Sequence, residues 1–284
     1  MASERPERLL LHKEASPLSR GALEQRLLAS AAFAVYDFDD ALQWDRGEGS
    51  AMRRLAPKAP KALAAVRHAD RVIAGNPILA EWAAEHSGDV VLIPSCVAPE
   101  RYAAKESYAV SDPPRLGWVG SADSEPYLEA IAPALEEAHR RSGARLTLIG
   151  TTVQRLGPLE RLIDRVAWSE HAQHEMLAGF DLAVAPVPDE LYERGKSGYK
   201  LLQYAAAGTP LIASPVGVNR DILAELGMPG PESVAEWGEA IATLLEEAAE
   251  DRAERGRRAR GVAQERYSFD AWLPRWRAAV GLDR

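Results

Sequence analysis

Short apolar runs alternate with helix-period segments from one end of the chain to the other. In the first part, apolar runs predict strands at Leu9–Leu11, Phe33–Tyr36, Arg71–Ala74 and Val90–Ile93, and the spacing over Leu55–His68 predicts a helix. Such alternation is typical of βαβ units, in which helices pack on a parallel sheet. The predicted fold class is therefore α/β, with a small first sheet.

A second series of elements follows the polar stretch Ala98–Pro114, which we interpret as an interdomain connection. The length of 284 residues also favours two domains, which we place at 1–110 and 111–266. The second series is predicted to comprise strands at Arg115–Val119, Arg145–Ile149, Arg165–Trp168, Leu182–Ala185 and Pro210–Ala213, and helices at Tyr127–Ser142, His174–Gly179, Tyr199–Ala207 and from Trp237 onward. Such a series is expected of one doubly wound half.

The composition narrows the class of protein. Hydrophobic residues make up 46% and charged residues 27% of the chain, as in ordinary soluble globular proteins. The formal net charge of -8 argues against attraction of the whole chain to nucleic acid or to an anionic bilayer. Cys96 is the only cysteine, so we exclude an internal disulfide and expect a cytoplasmic location. No apolar stretch predicts a transmembrane segment.

Two loops of the second series fit an anion. Gly120–Ser124 follows the first strand of that series, and Gly195–Lys200 leads into a helix. Loops after parallel strands line a crevice, and helices that begin there present free backbone N–H groups. Lys196 and Lys200 are four residues apart, so we expect both ammonium groups on one face of the first helical turn. Together with Arg194 they indicate a bound diphosphate; a solvated basic turn is the alternative.

These residues resemble glycosyltransferase family 4. The resemblance covers roughly residues 115–223 and is carried by Gly120-Ser121, Phe180-Asp181, Ala185-Pro186 and the stretch Gly195–Gly217. More narrowly, the chain is similar to a bacterial subgroup with lysines in the donor-phosphate motif. The resemblance implies a GT-B fold of two Rossmann-like domains facing across a cleft. It also implies transfer of a sugar from a nucleoside diphosphate to an acceptor with retention of configuration, without a cofactor or a metal.

The resemblance further implies roles for single residues. Lys196 and Lys200 would stabilise the leaving diphosphate as catalytic residues, and Gln203 would bind the ribose in place of the usual glutamate. The nucleobase would rest near residues 166–168. The remaining donor-binding residues implied in this way are Gly120, Ser121, Val166, Trp168, Arg194, Ser197, Gly198 and Tyr199.

One position departs from the family pattern. Where many members have a glutamate that contacts the donor sugar, this chain has Gly195, which has no side chain to replace it. Glu193, as a catalytic carboxylate, or Asp189 is expected to take that place. The terminal segment 267–284 resembles the helix that crosses back to the first domain in this family.

Three carboxylates, those of Asp37, Asp39 and Asp40, follow the second apolar run. Pairs of this kind hold magnesium in haloacid-dehalogenase-type phosphatases and in metal-dependent glycosyltransferases of another fold. The phosphatase alternative needs a later Gly-Asp-x-x-x-Asp, which Gly88-Asp89 does not provide. In the family-4 subgroup a similar stretch lies in the acceptor domain. We therefore expect the three aspartates on the acceptor side, without a metal.

The predicted first domain is shorter than that of most family members. We therefore expect a reduced acceptor side, with a partner protein or a second copy of the chain as one way to complete it. A non-catalytic subunit that binds a nucleotide sugar for another transferase is the main alternative function. The sequence leaves the nucleobase, the sugar and the acceptor open.

Overall fold

In a computed structural model of the chain, the structure describes residues 5–45, 55–150 and 156–283. The chain forms two compact units. The first contains the residues up to Ser95, the segment Asp189–Ser197 and the chain from Trp272 onward. The second contains Cys96–Pro188 and Gly198–Ala271. The interdomain connection predicted from the sequence thus belongs to the second unit, and part of the predicted donor motif belongs to the first.

The described strands and α-helices follow each other in the order predicted for an α/β protein. The strands are β1 (Arg8–His12), β2 (Phe33–Phe38), β3 (Arg71–Ala74), β4 (Val90–Leu92), β5 (Arg115–Val119), β6 (Arg145–Gly150), β7 (Ile163–Ala167), β8 (Leu182–Ala185) and β9 (Leu211–Ala213). The helices are α1 (Ala22–Ala29), α2 (Lys58–His68), α3 (Pro77–Ala84), α4 (Ala132–Ser142), α5 (Glu170–Met176), α6 (Leu191–Arg194), α7 (Tyr199–Ala207), α8 (Asn219–Leu226), α9 (Val234–Glu246), α10 (Ala249–Arg266) and α11 (Phe269–Ala279).

The sheet of the first unit has four parallel strands in the order β1-β2-β3-β4. Successive side chains of a strand point to opposite faces, so each face has its own core. On one face Tyr36 packs in a cluster with Leu28 of α1 and Leu79 of α3. On the other face Val35 packs in a cluster with Ala279 at the end of α11. The predicted parallel α/β arrangement is confirmed in this unit.

The sheet of the second unit has five parallel strands in the order β7-β6-β5-β8-β9. Val119 of β5 faces a core that includes Leu201 and Leu202 of α7. Trp118, its neighbour on the strand, faces the opposite core with Leu135 of α4. Helices therefore cover both faces of the sheet, as the doubly wound prediction requires.

Prolines move two helix starts from their predicted positions. The helix predicted over Tyr127–Ser142 is a 3-10 helix at Ala122–Ile131, followed by α4, which has Pro133 in its first turn. Helix α2 begins after the extended residue Pro57. Proline lacks a backbone N–H and is tolerated in the first turn of a helix, so it marks a start there and disrupts a helix interior.

Helix α7 has the predicted bounds, but Lys196 lies outside it. Gly198 precedes the helix in the left-handed region, with φ of 67°, and the helical residues begin at Tyr199. The expectation that Lys196 and Lys200 share the first helical turn is therefore wrong. Of the helices in the described ranges, none combines the length and hydropathy needed to cross a membrane.

Candidate functional site

The loop after β5 and the start of α7 meet in the second unit. The ammonium group of Lys200 donates a hydrogen bond of 3.0 Å to Ser124 Oγ and lies 4.1 Å from the centre of the Trp118 ring. A Cβ atom on Gly120 would lie only 2.5 Å from Lys200 Nζ. Glycine at this position therefore leaves the space that the ammonium group uses. Of the predicted site residues, the structure brings the donor-binding Gly120 and Ser121 and the catalytic Lys200 to one end of the sheet.

The first turn of α7 is suited to an anion. It contains no acidic residue, and no described side chain caps it. The first N–H groups of a helix have no partner within the helix, and they carry partial positive charge. The half-buried ammonium group of Lys200 adds a full charge beside them. This end of the sheet can therefore stabilise negative charge on a ligand.

Gln203, one turn further along α7, belongs to a hydrogen-bonded chain of side chains. Its Nε2 donates to the hydroxyl oxygen of Tyr102 at 3.2 Å. Nε2 of Gln173 donates to the same oxygen at 3.3 Å, and Oε1 of Gln173 accepts from Trp168 Nε1 at 3.0 Å. Gln203 and Tyr102 are both buried, whereas 47% of Trp168 is exposed. The chain thus links two predicted donor-binding residues, Trp168 and Gln203.

Ion pairs hold the end of β7, where the nucleobase is predicted to bind. Arg165 pairs with the fully buried Glu125 at 2.6 Å and with Glu160 at 2.7 Å. Hydrogen bonds to Glu160 and Glu125 outweigh burial and raise the pKa of Arg165 above its ordinary value. Glu125 lies in the 3-10 helix that follows the Gly120 loop. One ion-pair network therefore connects the two loops at this end of the sheet.

The predicted motif Arg194–Lys200 is divided between the units after Ser197. In the first unit, Asn76 Nδ2 donates to the carbonyl oxygen of Gly195 at 2.8 Å, and Ser197 Oγ donates to that of Asp39 at 2.7 Å. Asn76 also caps α3, because its Oδ1 accepts from Leu79 N at 2.9 Å. These bonds fix the backbone of the segment to the carboxyl ends of β2 and β3.

Contacts within the first unit explain the glycine at position 195. A Cβ atom there would lie 2.5 Å from Cβ of Ala41 and 3.1 Å from Cζ3 of Trp44. A carboxylate-bearing side chain therefore has no room in this conformation. Glu193 is 7% exposed and pairs with Lys196 at 3.6 Å.

Arg194, in the same segment, is already paired with a carboxylate. Arg194 forms two hydrogen bonds with the carboxylate of Asp189, at 2.6 and 3.0 Å. Lys196 lies 5.3 Å from the centre of the Tyr192 ring. The basic group of Arg194 thus binds a carboxylate of its own segment in this structure. Its predicted role in donor binding remains a prediction, as do those of Lys196 and Ser197.

Two of the three predicted acceptor-side aspartates pair with a lysine that was not predicted from the sequence. Lys13 Nζ lies 2.8 Å from Asp39 Oδ1 and 2.7 Å from Asp40 Oδ2. Burial acts to lower the pKa of Lys13, but the hydrogen bonds and charges of the two aspartates raise it above its ordinary value. Asp37 lies 3.6 Å from His12 Nδ1. Burial raises the pKa of Asp37, and the charge of His12 opposes this shift.

Within the described ranges, no group of three or more histidine, cysteine, aspartate or glutamate side chains is placed to hold a metal ion. Near the aspartates, the ammonium group of Lys13 supplies the positive charge. Asp39 also accepts a hydrogen bond of 3.3 Å from Ser95 Oγ, at the carboxyl end of the sheet of the first unit. The cluster can accept hydrogen bonds from hydroxyl groups.

Asn76, Lys13, Tyr102 and Gln173 were not predicted from the sequence, but two of them lie in a recognisable sequence pattern. Asn76-Pro77 is a typical N-cap followed by a first-turn proline, and Lys13 closely follows an apolar run. Tyr102 and Gln173 lie in no such pattern, because their partners are distant in the sequence: Tyr102 is 71 residues from Gln173 and 101 from Gln203.

Comparison with known proteins finds a family model that matches part of the chain. The model of the family described as Glycosyl transferases group 1 matches residues 113–247. A search of the curated proteins finds no match.

Solved structures of similar fold cover nearly the whole chain. Sucrose-phosphate synthase from Thermosynechococcus elongatus superposes with a TM-score of 0.71 at 18% identity, over 97% of this chain and 74% of that one. HepE from Anabaena, in complex with UDP, gives 0.67 at 15% identity, over 96% and 78%. TarM from S. aureus gives 0.66 at 14% identity, and the match covers 87% of this chain but only 50% of TarM.

At these identities the likeness shows the fold, and the predicted α/β fold of Rossmann-like units, as in GT-B glycosyltransferases, is confirmed. The family match lies almost entirely on the five-stranded sheet and its helices. Residues 113–247, a little under half of the chain, thus match the group 1 glycosyltransferase model, and the enzyme class predicted from the sequence, glycosyltransferase, is confirmed.

Proposed function

We propose that this protein transfers a sugar from a nucleoside diphosphate to an acceptor, with retention of configuration and without a metal, as in family 4. The observation that carries the proposal is the position of Lys200. Its ammonium group lies at the start of α7 and against the loop after β5. Among structures of similar fold, HepE and TarM are in complex with UDP, which favours uridine diphosphate as the leaving group.

The chemistry follows from the charge that develops during transfer. The bond between the anomeric carbon and the β-phosphate oxygen breaks, and a bond from an acceptor oxygen to that carbon forms. The departing diphosphate gains negative charge, and one of its oxygens takes up the proton that the acceptor hydroxyl loses. Lys200 and the N–H groups at the start of α7 would stabilise the diphosphate. One such preorganised interaction contributes roughly 3 kcal/mol to lowering the barrier.

Other residues support the donor in this scheme. Gln203 would bind the ribose, and Trp168, which is 47% exposed, would offer a ring face to the nucleobase. Lys196 and Glu193 keep their proposed catalytic roles. Asp37 and Asp39 would accept hydrogen bonds from hydroxyl groups of the acceptor. A cytoplasmic location, suggested by the single cysteine, is part of the same proposal.

The alternative function is a subunit that binds a nucleotide sugar without turning it over. The contacts of position 195 with Ala41 and Trp44 favour it, since they exclude a carboxylate from the place where many family members have one. In that case a partner protein or a second copy of the chain would supply the acceptor side.

Calorimetry of the full chain with a panel of nucleoside diphosphates and their sugars distinguishes these functions. A transferase should bind one nucleoside diphosphate and slowly hydrolyse the matching nucleotide sugar, because water can replace the acceptor. Binding of a nucleotide sugar without any turnover, also with a panel of sugar acceptors, would favour the subunit. Absence of binding to every member of the panel would refute both.

A further inference from the structure

Two polar side chains of helix α7 are spaced so that parts of one nucleotide could contact both. Lys200 and Gln203 are three residues apart, so they lie on neighbouring turns of the same face. Three residues of an α-helix rise by about 4.5 Å, which is on the order of the separation between a diphosphate and the ribose of the same nucleotide. A nucleoside diphosphate at Lys200 would therefore bring its ribose to Gln203.

The orientation of the Gln203 amide depends on its neighbours. The indole N–H of Trp168 is a donor only, so the group of Gln173 that faces it at 3.0 Å is the carbonyl oxygen. The amide nitrogen of Gln173 then faces the hydroxyl oxygen of Tyr102. Gln203 Nε2 donates to that oxygen as well. The hydroxyl oxygen of Tyr102 thus accepts hydrogen bonds from the side-chain amides of both Gln173 and Gln203.

Tyr102 is itself firmly placed. Only 4% of its surface is exposed, and its ring packs edge-on against His174 with 4.7 Å between the ring centres. A rigid hydroxyl that binds the Nε2 of Gln203 leaves Oε1 of that amide as a hydrogen-bond acceptor. Among the described residues, Gln203 makes its side-chain bond through Nε2 alone.

We propose that Tyr102 is a positioning residue for nucleoside recognition, which holds Gln203 so that its Oε1 accepts a hydrogen bond from a ribose hydroxyl of the donor. Tyr102 also ties this contact to Trp168, through Gln173. The inference rests on the proposed function, because it requires a nucleoside diphosphate at Lys200. It assigns to Tyr102 the selection of a ribonucleotide, whereas Lys200 binds the diphosphate of any nucleotide.

The test compares UDP with 2′-deoxy-UDP and 3′-deoxy-UDP by calorimetry on the wild type and on Tyr102→Phe. The wild type should bind one of the deoxy analogues about five- to tenfold more weakly than UDP, as expected for one lost hydrogen bond. Tyr102→Phe should bind UDP more weakly by a similar factor and bind that analogue unchanged, so that the discrimination disappears. Gln203→Leu should give the same pattern.

Tyr267→Phe is the matched control, since Tyr267 belongs to the same core and its hydroxyl bonds Glu225 instead. Tyr267→Phe should keep the wild-type ratio between the affinities for UDP and for the deoxy analogue. Retained discrimination in Tyr102→Phe, or an equal loss for all three nucleotides, would overturn the inference. A wild type that binds UDP and its deoxy analogues equally would also overturn it and leave the proposed function intact. A wild type that binds no nucleoside diphosphate refutes the proposed function, and the inference with it.

Discussion

The ammonium group of Lys200 lies 4.1 Å above the ring of Trp118, a side chain of β5 that has no exposed surface. A cation over an indole face is held by the charge distribution of the ring. Ser124 Oγ accepts a hydrogen bond from the same group. The position of this charge is therefore set by the sheet and the loop after β5 as well as by α7.

Lys200→Met should weaken the binding of UDP by roughly 10- to 100-fold. It removes a charge-assisted hydrogen bond worth about 1.5–3 kcal/mol and keeps an apolar stem against Trp118. Titration calorimetry measures the loss. Arg140→Ala is the control, because Arg140 is exposed and its one ionic partner among the described residues is Glu137 on its own helix. Equal UDP affinity in Lys200→Met and the wild type would contradict the role of Lys200.

Gly195→Ala should destabilise the protein by roughly 1–3 kcal/mol, because the new Cβ atom would lie 2.5 Å from that of Ala41. Urea unfolding followed by tryptophan fluorescence gives the difference. Gly88→Ala is the matched control in the same unit, since a Cβ atom added to Gly88 would meet nothing within 4 Å. If both variants had the same stability, the steric explanation for Gly195 would be wrong.

Asp37→Asn should stabilise the protein at pH 7, and the gain should shrink as the pH falls toward 4. Burial raises the pKa of Asp37 above the ordinary value of about 3.9. The folded protein thus holds the proton more tightly than the unfolded chain, so this group favours folding at low pH and opposes it once the pH exceeds both pKa values. Unfolding in urea at several pH values between 4 and 7 measures the difference.

The control variant for this pH dependence should show a stability change of the opposite sign. A hydrogen bond with Arg145 lowers the pKa of Asp164, so Asp164→Asn should slightly destabilise the protein at pH 7 and lose that effect at low pH. A pH-independent difference between Asp37→Asn and the wild type would contradict the shift at Asp37.

Glu125→Gln should cost about 2 kcal/mol of unfolding free energy. Breaking a buried ion pair costs roughly 3–5 kcal/mol, and the expected loss is smaller here because Glu160 still pairs with Arg165. Chemical denaturation measures it. Glu137→Gln, on the exposed face of α4, should stay close to the wild type. Glu125→Gln with wild-type stability would show that the network contributes little.

Apolar runs predicted the sheets well, because strand positions depend on local sequence. The bounds of β3, β5 and β8 and of α7 agree with the sequence prediction to the residue. Gly208, with φ of 74°, ends α7 directly after the last residue of the predicted helix. A boundary was missed where a proline lies within a helical pattern, as at Pro133 in the first turn of α4.

The candidate site was predicted only where its residues are close in sequence. The spacing of Lys196 and Lys200 suggested a shared helical turn, but the backbone conformation of Gly198 separates them, and they belong to different units. Tyr102 contacts Gln173 and Gln203, which are 71 and 101 residues away in the sequence, only after distant segments have folded together. Such contacts have no local pattern, so sequence reasoning alone does not find them.

A crystal structure of the full chain with UDP tests the central claim most directly. We expect the β-phosphate within hydrogen-bonding distance of Lys200 Nζ at the start of α7, and the ribose at Gln203. UDP bound away from the loop Gly120–Ser124, with Lys200 still on Ser124 and without a phosphate contact, would contradict the claim that this end of the second unit binds the donor.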